Sequence, residues 1–321
     1  MLTQWFPGHM HKAQKEMREV MPSIDVIIEV LDARIPFSSS NPLVESIRAD
    51  TPLLRILNKE DLADSDRTQV WLNHLLQSSD QVLTVTAKNK NEVKRIPDIC
   101  RQLNQRELKT AEDLKALIIG IPNVGKSTLI NTLAERTVAK TGNEPAITKR
   151  YAPIRIKPGF VLCDTPGILW PDLGHANISM RLSALGSIRE TVVDYTEAAI
   201  FCVSYMASHY SDRLANACGD ALKAFNAALE DPHLGDAEVV FLEEFGRHRG
   251  TLQKNAQVDF ERASRLFIND LRSGMFGRLT LELPEDASRE RAEIEERMRL
   301  KAKKKKAGKQ KAKKRDQPDT Q

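Results

Sequence analysis

The chain has 321 residues, 41% of them hydrophobic, and a formal net charge of +4. That length can hold two domains with separate cores, and the apolar content suits a globular protein rather than a fibrous or wholly disordered one. No apolar run reaches the ~18 residues of a spanning helix and Met1–Lys12 lacks the apolar stretch of a secretory signal, so no membrane span and a cytoplasmic location are expected.

In chain order, Ser23–Asp32 (SIDVIIEVLD) reads as a buried strand, and Pro52–Leu57 as another that runs straight into the string NKED at Asn58–Asp61. Gln81–Thr86 reads as a third, ending in TAK at Thr86–Lys88, with helices expected at Arg67–Leu76 and Glu92–Leu103. Leu114–Gly120 (LKALIIG) is a fourth strand, followed by GIPNVGKS at Gly120–Ser127 and a helix from Ser127 to Leu133. Ala152–Ile156 and Phe160–Cys163 complete six strands with helical spacers, the pattern of an open, mostly parallel α/β sheet. DTPG at Asp164–Gly167 closes the last strand.

From about Ala176 helical periodicity takes over. Asp194–Tyr210 and Asp212–Leu229 read as helices, and Phe260, Ala263, Phe267 and Leu271 recur on one helix face that suits a core. The expected division is a first domain at 1–175, a helical domain at 176–285, and a charged helix with a disordered lysine-rich tail at 286–321. Lys301–Arg315 holds ten Lys/Arg and no acid, and its removal with Asp316 and Asp319 leaves 38 basic and 42 acidic residues, a body at −4. Such a run is expected to be solvated, to contact an RNA backbone as a tethered arm, and to act apart from any nucleotide switch. The four cysteines, at 100, 163, 202 and 218, lack C-x-x-C spacing and read as reduced core residues.

GIPNVGKS matches G-x-x-x-x-G-K-[ST], and its setting of strand, loop and helix is the one that pattern requires. Backbone N–H groups along Asn123, Val124, Gly125, Lys126, Ser127 and Thr128 are the expected phosphate cradle. Lys126 should meet the β/γ-phosphates and count among the catalytic groups, and the Ser127 hydroxyl should meet Mg²⁺. Asp164, closing an apolar strand 37 residues past Ser127, fits the Mg²⁺-side Asp of D-x-x-G, with Gly167 sensing the γ-phosphate. A Thr between the two should close on Mg²⁺: Thr148, in PAIT, is the first choice and Thr141 the alternative.

NKED looks like a guanine reader. Asp61 can accept from guanine N1–H and N2–H₂, a donor pair that adenine lacks, so GTP and GDP are expected over ATP. Lys59 should lay its stem over the base and Asn58 should tie the loop to its neighbours. TAK, that is Thr86, Ala87 and Lys88, resembles the S-A-K of GTPases, in which a backbone N–H meets guanine O6. The position after DTPG is Ile168, which cannot orient water as the Gln of Ras-like enzymes does, so the catalytic group must come from elsewhere. WFPGHMHKA at Trp5–Ala13 offers His9 and His11.

NKED precedes the phosphate loop here, the reverse of its place in Ras-like proteins. With WFPGHM, NKED, TAK, GIPNVGKS, PAIT and DTPG in that order, residues 4–285 resemble the circularly permuted ribosome-assembly GTPases of bacteria, a likeness that extends to FGRLTLELP at Phe276–Pro284. The resemblance implies a circularly permuted P-loop GTPase domain, a small all-helical domain and a basic tail. It further implies a GTP-hydrolysing factor, monomeric in expectation, that binds the large ribosomal subunit through rRNA and ribosomal proteins late in maturation and is released on hydrolysis. A permuted switch acting on a non-ribosomal target is the alternative. On the resemblance, His9 matches the proposed catalytic His and Asn123 the Asn that coordinates K⁺, while Ala146 replaces a usual Gly ahead of Thr148. Chain order alone puts DTPG within about ten residues of the helical part, so the γ-phosphate sensor should be able to move that part as a two-state element.

Overall fold

A computed structural model describes residue 15 and residues 17–107, 112–139, 152–167, 169, 174–188, 190–254 and 256–315, with backbone alone at 152, 190, 302 and 304–315. All six expected strands are present: β1 (Val26–Asp32), β2 (Leu53–Asn58), β3 (Gln81–Val85), β4 (Leu114–Gly120), β5 (Ala152–Lys157) and β6 (Phe160–Asp164). They form one sheet in the order β3-β2-β1-β4-β6-β5, parallel except for the β5–β6 pair. β1 and β2 are buried along their whole length, which is why they read as unbroken apolar runs rather than alternating ones. Their one internal polar pair is closed across the register, where Arg55 Nε donates to Glu29 Oε2 at 2.8 Å.

Register brings the motif loops to one edge. Asp32 stands opposite Asn58, Asn58 opposite Val85, Val30 opposite Gly120, and Ile118 opposite Asp164. NKED, TAK, the phosphate loop and DTPG therefore all leave the carboxyl ends of neighbouring strands. The strand order reverses between β1 and β4, and such a switch point is where open parallel sheets bind ligands.

The helices of eight or more residues are α1 (Ser65–Leu75), α2 (Ile96–Leu103), α3 (Lys126–Ala134), α4 (Ala176–Ala184), α5 (Tyr195–His209), α6 (Ser211–Glu230), α7 (Ala237–His248), α8 (Phe260–Ser273) and α9 (Pro284–Arg315). The single helix expected over Glu92–Leu103 is two, Lys90–Val93 and α2, because Pro97 cannot donate to the carbonyl four residues back and its ring crowds that turn. α7 has no counterpart in the sequence reading. Past residue 175 the only extended pairing among the described residues is one antiparallel bridge, Leu252 with Val258. The predicted face of α8 is core: Phe267 sits edge-on to Phe241 and Phe245 at 5.7 and 5.6 Å between ring centres, and 5.0 Å from Phe276.

The segment 279–283 belongs to no helix or strand. Leu279 N–H donates to the Leu62 carbonyl, Leu281 N–H to the Arg34 carbonyl, and Trp71 Nε1 to the Glu282 carbonyl, at 2.8 to 3.0 Å. These bonds stitch the helical part to the loops of β1 and β2, and one buried apolar cluster runs through both parts. The expected disordered lysine tail is corrected: α9 continues as helix to Arg315. Lys, Ala, Gln and Arg are good helix formers, and Gly308 is the one poor former in that run. No described helix is long and apolar enough to cross a membrane.

Candidate nucleotide-binding site

The phosphate loop links β4 to the N-terminus of α3, so its N–H groups and the positive end of the helix dipole share one place. Gly125 has φ +92° and stands so close to Asn58 that a Cβ would lie 2.2 Å from Nδ2. Asn123 is left-handed too, at φ +64°. Lys126 is the first helical residue and is buried, whereas Ser127 and Thr128 are half-buried.

Asn58 performs the tying role expected of it. Its Nδ2 donates to the Val124 carbonyl at 2.6 Å, and its Oδ1 accepts from the Ala87 N–H at 2.9 Å. One amide therefore joins the NKED loop, the TAK loop and the phosphate loop. Lys59, left-handed at φ +63°, sends Nζ to the Asn123 carbonyl at 2.7 Å and to Asp32 Oδ2 at 2.8 Å. Asp61 is exposed, with Thr86 Oγ1 at 3.4 Å from its Oδ1, and Lys88 is exposed as well. The Thr86 N–H is engaged by Glu92 at 2.7 Å.

On the other side of the loop Lys126 Nζ donates to Asp164 Oδ1, and both groups are buried. Burial lowers the Lys126 pKa, against the opposing pull of Asp164. Gly167 lies against the loop backbone, where a Cβ would meet Pro122 N at 3.1 Å. His9, His11, Thr141, Ala146, Thr148 and Ile168 lie outside the described residues.

The sequence reading missed Asp32 and Arg34. Arg34 grips Asp32 with two bonds, Nε to Oδ1 and Nη2 to Oδ2, each 2.9 Å, and the same carboxylate holds Lys59. Burial alone would raise the Asp32 pKa, but the Arg34 and Lys59 cations outweigh it and hold the carboxyl well below the usual range. The signal that singles out Asp164, an Asp closing an apolar strand, is equally present at Asp32.

The residues fit a magnesium nucleotide. No group of three or more His, Cys, Asp or Glu among the described residues could hold a metal alone. One hydroxyl and one carboxylate, Ser127 and Asp164, are what a hard cation needs when phosphate and water supply its other oxygens.

Comparisons with known proteins agree with this geometry. The family described as 50S ribosome-binding GTPase matches residues 115–227. Ribosome biogenesis GTPase A of Bacillus cereus is 34% identical over 302 residues, covering 92% of this chain and 98% of the relative. The chain belongs to the ribosome biogenesis GTPase A family. It is a GTPase of ribosome biogenesis, with the six-stranded permuted P-loop fold and a helical C-terminal part. Two solved relatives of this family match in three dimensions: a GDP-bound YlqF, with a TM-score of 0.59 and 25% identity over 84% of this chain and 99% of that one, and the GNP-bound YlqF of T. maritima, at 0.58 and 26% over 86% and 99%. GTPases of this family generally use Mg²⁺. The match to residues 115–227 starts at the phosphate-loop strand and takes in DTPG but not NKED, as the permuted order requires.

Proposed function

We propose that this GTPase binds the large ribosomal subunit late in its maturation in the GTP form and leaves when GTP is hydrolysed. The observation that carries the reading is the Asn58 amide, bonded at once to the phosphate loop and to the TAK loop. That arrangement lets base recognition and phosphate recognition act as one site, although NKED comes first in the chain.

In this reading Asp61 accepts from guanine N1–H and N2–H₂, and the Lys59 stem covers the base while its Nζ stays on Asp32 and Asn123. The Thr86 and Ala87 N–H groups are engaged by Glu92 and Asn58, so the Lys88 N–H is the candidate donor to guanine O6. The N–H groups from Asn123 to Thr128 hold the phosphates, and Lys126 turns from Asp164 to the β/γ-phosphates. Ser127, Thr148 and Asp164 would hold Mg²⁺, which neutralises charge on the phosphates when bound. Asn123 would hold K⁺. His9 takes the part of the missing Gln at position 168 and positions the attacking water. Gly167 senses the γ-phosphate and passes its state to residues 176–285, read as a helical domain that binds rRNA. The protein works in the cytoplasm, as a monomer.

His9→Ala should slow hydrolysis about a hundredfold while GTP affinity stays within a few fold, because the His acts on water and not on ground-state binding. A collapse of affinity would instead make His9 structural. The reading as a whole is tested by sedimenting a lysate with a non-hydrolysable GTP analogue. The chain should travel with the large subunit and shift to the free fractions with GDP. Travel with another complex, or none, would overturn it.

A further inference from the structure

α9 carries the lysine run at its far end and is buried at its root. Glu290, 1% exposed, takes Arg181 Nη1 and Nη2 at 2.8 and 2.9 Å and Asn177 Nδ2 at 3.0 Å, all from α4. Arg181 Nη1 also lies 3.1 Å from Glu282 Oε2, and Arg181 Nε donates to the Leu281 carbonyl at 2.9 Å. Glu282, fully buried, accepts from the N–H groups of Phe37 and Ser38 at 2.6 and 2.9 Å. Just before α4, His175 Nε2 meets Glu293 at 3.0 Å, and Gly174 (φ +83°) admits Ile294, whose side chain would lie 2.9 Å from any Cβ there. Positions 290, 293 and 294 share one helix face, so Gly174–Arg181 rides along a single side of α9. Separating one partner of such a pair strands a buried charge, so α4 and the root of α9 resist moving apart.

The other end of α4 is held by the phosphate loop. Gly186, two residues past the helix, accepts from Asn123 Nδ2 at 2.6 Å. The Ser183 and Ala184 carbonyls accept from Arg272 at 2.8 and 2.6 Å, which fixes the same end to α8. α4 is thus pinned to the phosphate loop at one end and to α9 at the other, and it begins nine residues after Gly167. From Ile294 to Lys301 is seven residues of continuous helix, about 10 Å.

We propose that α4 is a lever that carries nucleotide state to α9, making Lys301–Arg315 a helically mounted basic arm that grips an RNA backbone more tightly in the GTP form. The proposal rests on the reading of the chain as a nucleotide switch on RNA. The partner follows from composition: apart from ten Lys/Arg the run holds only Ala, Gly and Gln. A membrane-surface helix needs an apolar face, and this one has none to offer. A polyanion with regularly spaced charge, read without sequence, is what such an arm fits. The arm spans about 22 Å as helix. A tilt at the root therefore moves the whole helical backbone of the run together, as it would not move a disordered tail.

The test uses the full chain and an inserted Gly-Gly-Ser-Gly between Leu300 and Lys301, which keeps all ten charges and leaves every clamp residue in place. Binding to a short RNA duplex is titrated with salt, with a GTP analogue and with GDP. The intact chain should prefer the GTP form by about tenfold, within the usual range of coupling between sites. The insertion should keep the salt slope and bring the preference within about twofold. Glu290→Gln, checked for folding by thermal denaturation, should lower the preference in the same direction by weakening the clamp. A wild-type preference in the insertion variant would overturn the lever, as would equal binding of both forms by the intact chain. Equal binding to anionic vesicles would overturn the RNA assignment. Failure to sediment with large subunits, with this RNA preference intact, would overturn the proposed function and leave the lever standing.

Discussion

The edge of the sheet and the junction of α4 with α9 hold their polar groups in contrasting ways. At the edge, strand register sets the positions: Asp32, Asn58, Gly120 and Asp164 end neighbouring strands, and short loops leave from there. The chemistry is carried by backbone N–H groups and by single side chains at strand ends. At the junction, side chains far apart in the chain converge, with Ser38, Arg181, Glu282 and Glu290 closing on one another out of water. The first arrangement leaves a spaced motif in the sequence and the second leaves none.

The largest effect separating the two should come from Arg181→Met. It strands Glu282 and Glu290 in a buried site, at a cost of about 3–5 kcal/mol. Thermal denaturation should show the loss, while GTP affinity of the folded protein stays near that of the wild type. Lys126→Ala should shift the balance the other way. Removing one charged donor at the phosphates should cut hydrolysis by about a hundredfold or more, with a smaller drop in melting temperature than Arg181→Met, because one buried carboxylate, Asp164, loses its cation rather than two. If both variants lost stability and activity together, the two regions would be one unit and the contrast would fail.

A smaller effect belongs to Asp32→Asn, which sits between the two modes, at a strand end but in a buried charge network. GTP affinity should fall about tenfold, since Lys59 loses the carboxylate that aims it at the phosphate loop. The folded-state pKa of Asp32 is depressed, so its contribution to stability is present above the ordinary value of 3.8 and is lost as pH falls toward the depressed one. The stability gap between wild type and the Asn variant should therefore be constant from pH 7 to about pH 5 and shrink only in stronger acid. A gap that closed near neutrality would mean that Asp32 is not the ion that holds Lys59.

The same contrast explains what was legible. The six strands were readable because each is a short run rich in apolar or β-branched residues and four of them, β2, β3, β4 and β6, run into a motif, and the open sheet followed from them. Asn58 as a tie between loops was readable as well. Asp32 carried the same signal as Asp164 but, like Arg34, belongs to no motif spelled out in the chain. α7 escaped because its apolar positions serve a cluster completed by α8 and by Phe276, so no local pattern isolates it. The tail was misjudged for a physical reason: a lysine run has the composition of a disordered segment and the propensity of a helix, and what settles it is a root buried through Glu290, over a hundred residues from Arg181.

The measurement that bears most directly on the account is nucleotide competition with Asp61→Asn. A carboxylate at 61 accepts from guanine N1–H and N2–H₂, whereas an amide presents an N–H₂ donor that suits the 2-oxo group of xanthine. The account predicts that the wild type prefers GTP over both ATP and xanthosine triphosphate, and that the variant binds xanthosine triphosphate more tightly than GTP. An unchanged preference for GTP in the variant would contradict it, because the base would then be read somewhere other than the loop that precedes the phosphate loop in this chain.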